Sequence, residues 1–186
     1  MTYLLDPRPL DEGDLAWLTL FDCGDEPWER EVTGFLRSDA WQEQQSGRNR
    51  TTPFSLPDRQ ELVGYITAAP SALTLTARGQ NALNTPNDRL PVILVPFLGV
   101  NRAYQRRTEH FGEEIHTRFL RSIAGSMAAP RWVYLCVWPE NPAVRFYQRL
   151  GYRKIGEKME TRPDGATGVV FKMVLDLERI APLTGK

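Results

Sequence analysis

Three observations predict an α/β fold in which helices cover a mixed sheet. Two continuous apolar runs, PVILVPFLGV at 91–100 and RWVYLCVW at 131–138, read as strands buried on both faces. Helical stretches follow each run, so strands and helices alternate through the second half, the pattern of a layered architecture. Pairs of strands stand near both ends of the chain, which brings antiparallel pairing into the same sheet.

In chain order, residues 2–10 are a first short strand. The stretch 26–46 is a helix: Val32, Phe35 and Leu36 recur at spacings of three and four, Trp28 lies one turn earlier, and Gly47 stops it. RNRTTPFSLPD reads as a strand and turn, and QELVGYITAA as a stronger strand that SALTLT extends. Residues 77–90, rich in Asn, Gly and Arg, are a polar loop. After 91–100 comes a polar segment, NRAYQRRTEH. A helix follows with Ile115, Phe119 and Ile123 on one face, closed by Pro130. Beyond 131–138, Pro139 and Pro142 flank Asn141 and open a short helix that Gly151 stops. YRKIGEKM and GVVFKMVLDL are the last two strands, joined by a turn at Pro163, Asp164 and Gly165.

Composition narrows the function classes. A chain of 186 residues fits one domain, 1–186, with a sizeable core. Lysine plus arginine and aspartate plus glutamate number 23 each, so the net charge is zero and the basic balance of a dedicated nucleic-acid binder is missing. No apolar run is long enough to span a bilayer, and the N-terminus has no basic start leading into an apolar stretch. The expected setting is a reducing cytoplasm away from membranes. Cys23 and Cys136 lie far apart and are expected as free thiols. With His110 and His116 they show no metal-ligand spacing. Both histidines read as surface residues.

The chemistry points to WVYLCVWPENPAVRFYQRLGYRKIG, residues 132–156. A strand leads to Asn141, then Ala143, then the pair Phe146-Tyr147, then Leu150-Gly151-Tyr152. Read as an ordinary amphipathic helix with Val144, Tyr147 and Leu150 inward, the segment leaves the asparagine and the glycine-aromatic end unexplained. At these spacings it resembles the GNAT family of N-acetyltransferases. The resemblance implies the GNAT fold: a mixed, mostly antiparallel sheet flanked by helices, with a central parallel strand pair that opens as a V for acetyl-CoA. It implies that Tyr147 donates a proton to the departing CoA thiolate, and a phenol near ~10 is protonated at neutral pH. Asn141 would stand beside it in the catalytic centre, and Phe146 against the cofactor. Backbone N–H groups of Leu98, Gly99 and Val100 would face the oxyanion.

The segment after the central strand is similar to the family's phosphate loop, Gln/Arg-x-x-Gly-x-Gly/Ala, in which successive N–H groups at a helix start hold the CoA pyrophosphate. Val100, Tyr104 and Gln105 fit its entrance. Without a gap, Thr108 and His110 replace the two glycines. With two extra residues, Phe111 and Gly112 fit its end, and this gapped register is preferred. Arg106 and Arg107 would add charge for the phosphates, with Glu109 opposing them.

A wider resemblance covers residues 20–105. Phe21-Asp22-Cys23-Gly24, then SGRNRTTPFSL, ELVGYITAAPSAL and LPVILVPFLGVNRAYQ follow one another as in the acetyltransferase toxins of bacterial toxin–antitoxin pairs. That resemblance implies acetyl transfer to the α-amine of an aminoacyl-tRNA. The neutral charge stands against a tRNA partner and for a small-molecule or peptide amine; a homodimer is allowed. No carboxylate stands on 91–100, where many family members place a general base. A lysine near ~10.4 would then stay protonated, whereas an α-amine near ~7.7–8.0 needs little help. Glu61, Asp58 and Glu140 are the remaining bases, acting through water. Trp17, Trp28, Trp41 and Trp132 read as packing residues, Arg48 and Arg50 as solvated, and Trp138 as a floor to the site. The competing class is a GNAT-fold protein without enzymatic activity, whose altered phosphate loop has given up CoA.

Overall fold

In the computed structural model, residues 6–56, 61–124, 130–162 and 164–179 are described. The sheet is built from β1 (Asp6–Pro7), β2 (Arg50–Ser55), β3 (Leu62–Thr74), β4 (Arg89–Val100), β5 (Trp132–Val137), β6 (Arg153–Thr161) and β7 (Thr167–Asp176). Its strands hydrogen-bond in the order β1-β2-β3-β4-β5-β7-β6. β4 and β5 run parallel, while β1 with β2, β2 with β3, β5 with β7 and β6 with β7 are antiparallel. The mixed sheet with one central parallel pair is therefore present.

Helices are α1 (Leu15–Leu18), α2 (Pro27–Ser38), α3 (Ala40–Gln45), α4 (Ala77–Leu83), α5 (Phe111–Ala124) and α6 (Ala143–Arg149). The single helix expected over 26–46 is two, because the chain bends at Asp39, whose φ is −115°. Gly47 ends the second with φ +70°, a conformation that glycine adopts without cost. The loop expected over 77–90 contains α4. Thr76 accepts a hydrogen bond from the Gly79 N–H at its start, and Asn84 ends it in the left-handed region. The helix buries only Gly79 and Leu83, too few apolar positions for a 3.6 period to show; local caps define it. Of the first strand, residues 2–5 lie outside the described residues, as does Pro163 of the last turn.

The chain divides into two compact units, one of residues 1–69 and 97–122, the other of 70–96 and 123–186. Each has a core of its own. In the first, Phe21, Phe35, Leu36 and Tyr65 pack with Leu10, Leu18 and Leu62. Phe35 stacks on Phe97 at 4.0 Å between ring centres, and the Tyr65 hydroxyl donates to the Val32 carbonyl at 2.6 Å. In the second, Leu73, Leu83, Leu90, Val92, Trp132, Tyr134, Ile155 and Val174 pack together. Burying each such side chain contributes roughly 1.5–3 kcal/mol.

Two burial expectations are corrected. β4 is not covered on both faces: Pro91 and Pro96 are exposed, and Ile93, Leu94, Phe97 and Leu98 are half-buried. A strand between two neighbours stays open in this way only where nothing has closed over it. His116 is not on the surface but 1% exposed, because it shares the inner side of α5 with Ile115, Phe119 and Leu120.

Candidate functional site

In the second unit, the parallel ladder pairs Val92 with Trp132, Ile93 with Val133 and Leu94 with Tyr134. The pairing ends there, although β4 continues through Val95 and Pro96 and β5 through Leu135, Cys136 and Val137. Pro96 has no N–H to offer a neighbour. Two parallel strands that part at their carboxyl ends form the kind of opening in which α/β sheets take ligands.

β5 then turns sharply. The Asn141 N–H donates to the Trp138 carbonyl, and Val144 N–H to the Asn141 carbonyl. The Asn141 Oδ1 accepts from the Ala143 N–H at 2.8 Å. Asn141 thus holds the first turn of α6, and that is the role the structure displays for it. α6 ends at Gly151, with φ +92°. This short helix buries Tyr147, whose ring meets Phe146 at 5.2 Å and Tyr152 at 5.4 Å, both edge to face. The Tyr147 hydroxyl has no hydrogen-bond partner among the described residues. Burial pushes its pKa above the ordinary phenol value, so it stays protonated at any physiological pH. A phenol is a weaker acid than a thiol, so full transfer to a free thiolate would be uphill. The same apolar surroundings disfavour a bare thiolate, and a proton shared as the C–S bond breaks satisfies both groups.

The other candidate residues lie in the first unit. Gly99 sits where a Cβ would come within 2.7 Å of Val32 Cγ1, 2.8 Å of Tyr65 Cε1 and 3.0 Å of Cys23 Sγ. Only a residue without a side chain fits there, between Leu98 and Val100. Gln105 does not present a free amide: its Nε2 donates to the carbonyls of Cys23 at 2.7 Å and Val100 at 2.9 Å. Its place is structural, tying the Phe21-Asp22-Cys23-Gly24 turn to the end of β4. Burial raises the Cys23 thiol to about 12, so this cysteine is inert at neutral pH. The Tyr104 hydroxyl donates to Glu61 at 2.5 Å, and the Arg107 guanidinium lies 4.8 Å from the Tyr104 ring centre.

The loop itself carries two left-handed residues that are not glycine, Arg106 with φ 55° and His110 with φ 50°. α5 begins at Phe111, one residue before Gly112. A left-handed His110 occupies the conformation that glycine takes freely. This suits the register without a gap, in which His110 stands at the motif's second glycine. Arg106, Arg107, Thr108 and His110 are all exposed. Among the described residues no group of three or more His, Cys, Asp or Glu gathers to hold a metal.

Sequence reasoning missed Arg162. Its guanidinium lies 4.0 Å from the Trp138 ring centre and its Nη2 pairs with Glu140. The two residues are 24 positions apart, and nothing in the spacing announces the contact. Trp138, expected as a floor, lines an open recess of 330 Å³ with Pro139, Glu140, Arg162, Gly168 and Val169.

No protein-family model matches the sequence, and no curated protein is similar to it in sequence. Solved structures are similar to it in fold. A bacterial toxin superposes with a TM-score of 0.69 at 22% identity, over 95% of this chain and 94% of that one. The chain has the GNAT fold. AtaT in complex with acetyl-methionyl-tRNAfMet gives 0.68 at 15% identity, over 95% and 97%. NAA60 of Arabidopsis thaliana in complex with acetyl-CoA gives 0.61 at 20% identity, over 94% and 99%. Among the described residues no helix is long and apolar enough to cross a membrane.

Proposed function

We propose that this chain is an acetyl-CoA-dependent N-acetyltransferase acting on a primary amine, with Tyr147 as its general acid. The observation that carries the reading is the parting of β4 from β5 after Leu94 and Tyr134 in a GNAT fold. The resemblance over 132–156 supports it. So does Tyr147 itself, protonated and with no partner for its hydroxyl among the described residues. In this reading the amine attacks the thioester carbonyl, the backbone N–H groups at Leu98, Gly99 and Val100 receive the oxyanion, and the thiolate leaves as Tyr147 gives up its proton. Acetyl-CoA is the cosubstrate and no metal takes part. β4 carries no carboxylate, and of the other candidate bases Glu61 and Glu140 are both engaged, by Tyr104 and Arg162, while Asp58 lies outside the described residues. That favours an α-amine, which is partly neutral already at pH 7–8.

Thermal unfolding with and without acetyl-CoA is the first test. At a hundredfold excess over its dissociation constant the cosubstrate should stabilise the fold by ~2.7 kcal/mol. Release of CoA in the presence of a primary amine is the second. Absence of any shift would leave the GNAT-fold protein without enzymatic activity as the better reading.

A second reading, an aminoacyl-tRNA as acceptor, is favoured by the charge distribution. The neutral total hides a division: the first unit holds 11 basic and 16 acidic residues, net −5, and the second 12 and 7, net +5. All four lysines belong to the second unit. Neutrality of the whole chain is therefore no argument against a polyanionic partner. On this reading expression arrests translation and acetylated aminoacyl-tRNA accumulates in extracts. High expression without growth arrest and without that product would reject it.

A further inference from the structure

A helix of seven residues does not fix its own position. α6 runs only from Ala143 to Arg149, and a helix of that length is marginal without support from its surroundings. Its first turn is tied to the chain that leads into it. The Asn141 N–H donates to the Trp138 carbonyl at 3.0 Å, and the Val144 N–H donates to the Asn141 carbonyl at 3.0 Å. Whatever holds Trp138 and Glu140 therefore holds the start of α6, and with it Tyr147 on the second turn. The sheet does not hold them, because the ladder of β5 with β7 ends at Val137 and Phe171.

One side chain from a distant part of the second unit reaches both residues. The Arg162 guanidinium lies 4.0 Å from the centre of the Trp138 ring, and its Nη2 pairs with Glu140 Oε1. A Cβ at Gly168 would stand 3.0 Å from Trp138 Cζ3, so the glycine lets the indole lie against the start of β7. Arg162 is itself anchored. It follows directly on the last rung of β6 with β7, Thr161 and Thr167, whose hydroxyls are 2.9 Å apart. Its N–H donates to the Ala166 carbonyl at 2.8 Å, and its carbonyl accepts from the Gly165 N–H at 2.9 Å. The side chain is only 15% exposed, and its Nε is buried with no partner among the described residues. A buried donor without an acceptor is unfavourable, so the indole and the carboxylate set the place of this guanidinium at the expense of one of its own hydrogen bonds.

From this geometry we infer that Arg162 is a positioning residue: it clamps the 138–141 turn to the β6–β7 hairpin and so sets where Tyr147 stands. The clamp rests on the acetyltransferase reading for its purpose, and on these contacts alone for its existence. Arg162 touches no reacting atom and acts through Trp138 and Glu140. Proton transfer depends steeply on where the phenol stands, since a displacement of about 1 Å costs on the order of a hundredfold in rate.

The test places a ring-fluorinated tyrosine at position 147 of the full chain and reads its fluorine NMR resonance with Arg162, Arg162→Met or Arg162→Lys. Acetyl transfer to glycinamide by the unlabelled proteins is measured alongside. Arg162→Met keeps the length of the side chain and removes its charge. It should move the resonance by more than a linewidth or split it. It should also lower kcat about tenfold or more, with KM for acetyl-CoA within about twofold. Arg162→Lys keeps the charge facing Glu140 and loses the planar fork, so it should restore part of both effects. Glu140→Gln should move the resonance the same way by less, and add nothing when combined with Arg162→Met. Additive losses in that double variant would overturn the route through Glu140. Should Arg162→Met fail to fold, Arg162→Lys and Glu140→Gln decide the same question. A resonance that stays in place in the folded variants would overturn the proposal. A moved resonance with no acetyl transfer by the unaltered chain would sink the acetyltransferase reading and keep the clamp; acetyl transfer with an unmoved resonance would do the reverse.

Discussion

The turn from β5 into α6 and the loop from β4 into α5 differ in how they are built. The first uses residues suited to their places: Asn141 accepts from the Ala143 N–H, prolines flank it, Gly151 takes the left-handed stop, and Tyr147 sits buried, its hydroxyl without a partner among the described residues. The second sets Arg106 and His110 in left-handed backbone, and its one motif glutamine, Gln105, bonds to Cys23 and Val100. A left-handed residue other than glycine costs roughly 1–2 kcal/mol. The contrast teaches that the part of the chain proposed for proton transfer has an unstrained design, while the part proposed for phosphate is built around charged side chains and left-handed backbone.

The strongest way to break this comparison is Tyr147→Phe. Turnover should fall by ~10²–10⁴ while acetyl-CoA affinity hardly moves, measured as CoA release against calorimetric binding. Undiminished turnover would mean that water or another group protonates the thiolate.

The second region has a pH dependence of its own through α5, the helix that follows its loop. Burial lowers His116 to about 4 from an ordinary 6.5. A depressed histidine favours the fold while neutral, so this contribution is complete above pH 6.5 and is lost as pH falls toward 4. At full effect it amounts to about 3 kcal/mol. Urea unfolding between pH 7 and 4 reads the slope, and a flat profile over that window would contradict the burial of His116.

Gly99→Ala should destabilise the fold by ~1–3 kcal/mol, because the new methyl meets Val32, Tyr65 and Cys23 together; the fall in Tm measures it. Reversing Arg106 and Arg107 to glutamate should weaken CoA binding by about tenfold, the worth of one charge-assisted contact, and the loss should shrink at high salt. The smallest expected effect is that of His110→Gly. Relief of the left-handed backbone should offset the added chain entropy, leaving stability within ~1 kcal/mol. A larger loss would show that the His110 side chain holds the loop.

The same contrast marks what the sequence alone could show. The 132–156 stretch was legible because its signals are local: strand, cap, aromatic pair and stop fall within one continuous run, and Gly151 and Asn141 stand where they were expected. Elsewhere the determinants are distant in sequence. Nothing near His116 announces its burial, which depends on which side of α5 turns inward. α4 has too few apolar positions to reveal a period. The bend at Asp39 interrupts a helix whose residues all suit a helix. Arg162 meets Trp138 only because the β6–β7 hairpin folds back, and β4 reads as a covered strand because hydrophobicity reports composition and not what closes over it. The division into acidic and basic units could not be seen in a net charge of zero.

Pro96 has a consequence beyond the site. Where β4 leaves β5, one side of the stretch 95–100, which carries valine, phenylalanine and leucine, lacks its parallel neighbour, and Phe97 and Leu98 are only half-buried. An unpaired strand of that composition is a template on which another chain can add a strand of its own. Proline at the exposed position near its start withholds an N–H and fixes φ, so an intruding strand cannot continue its ladder past that point. The opening between the two parallel strands thereby carries its own guard against aggregation.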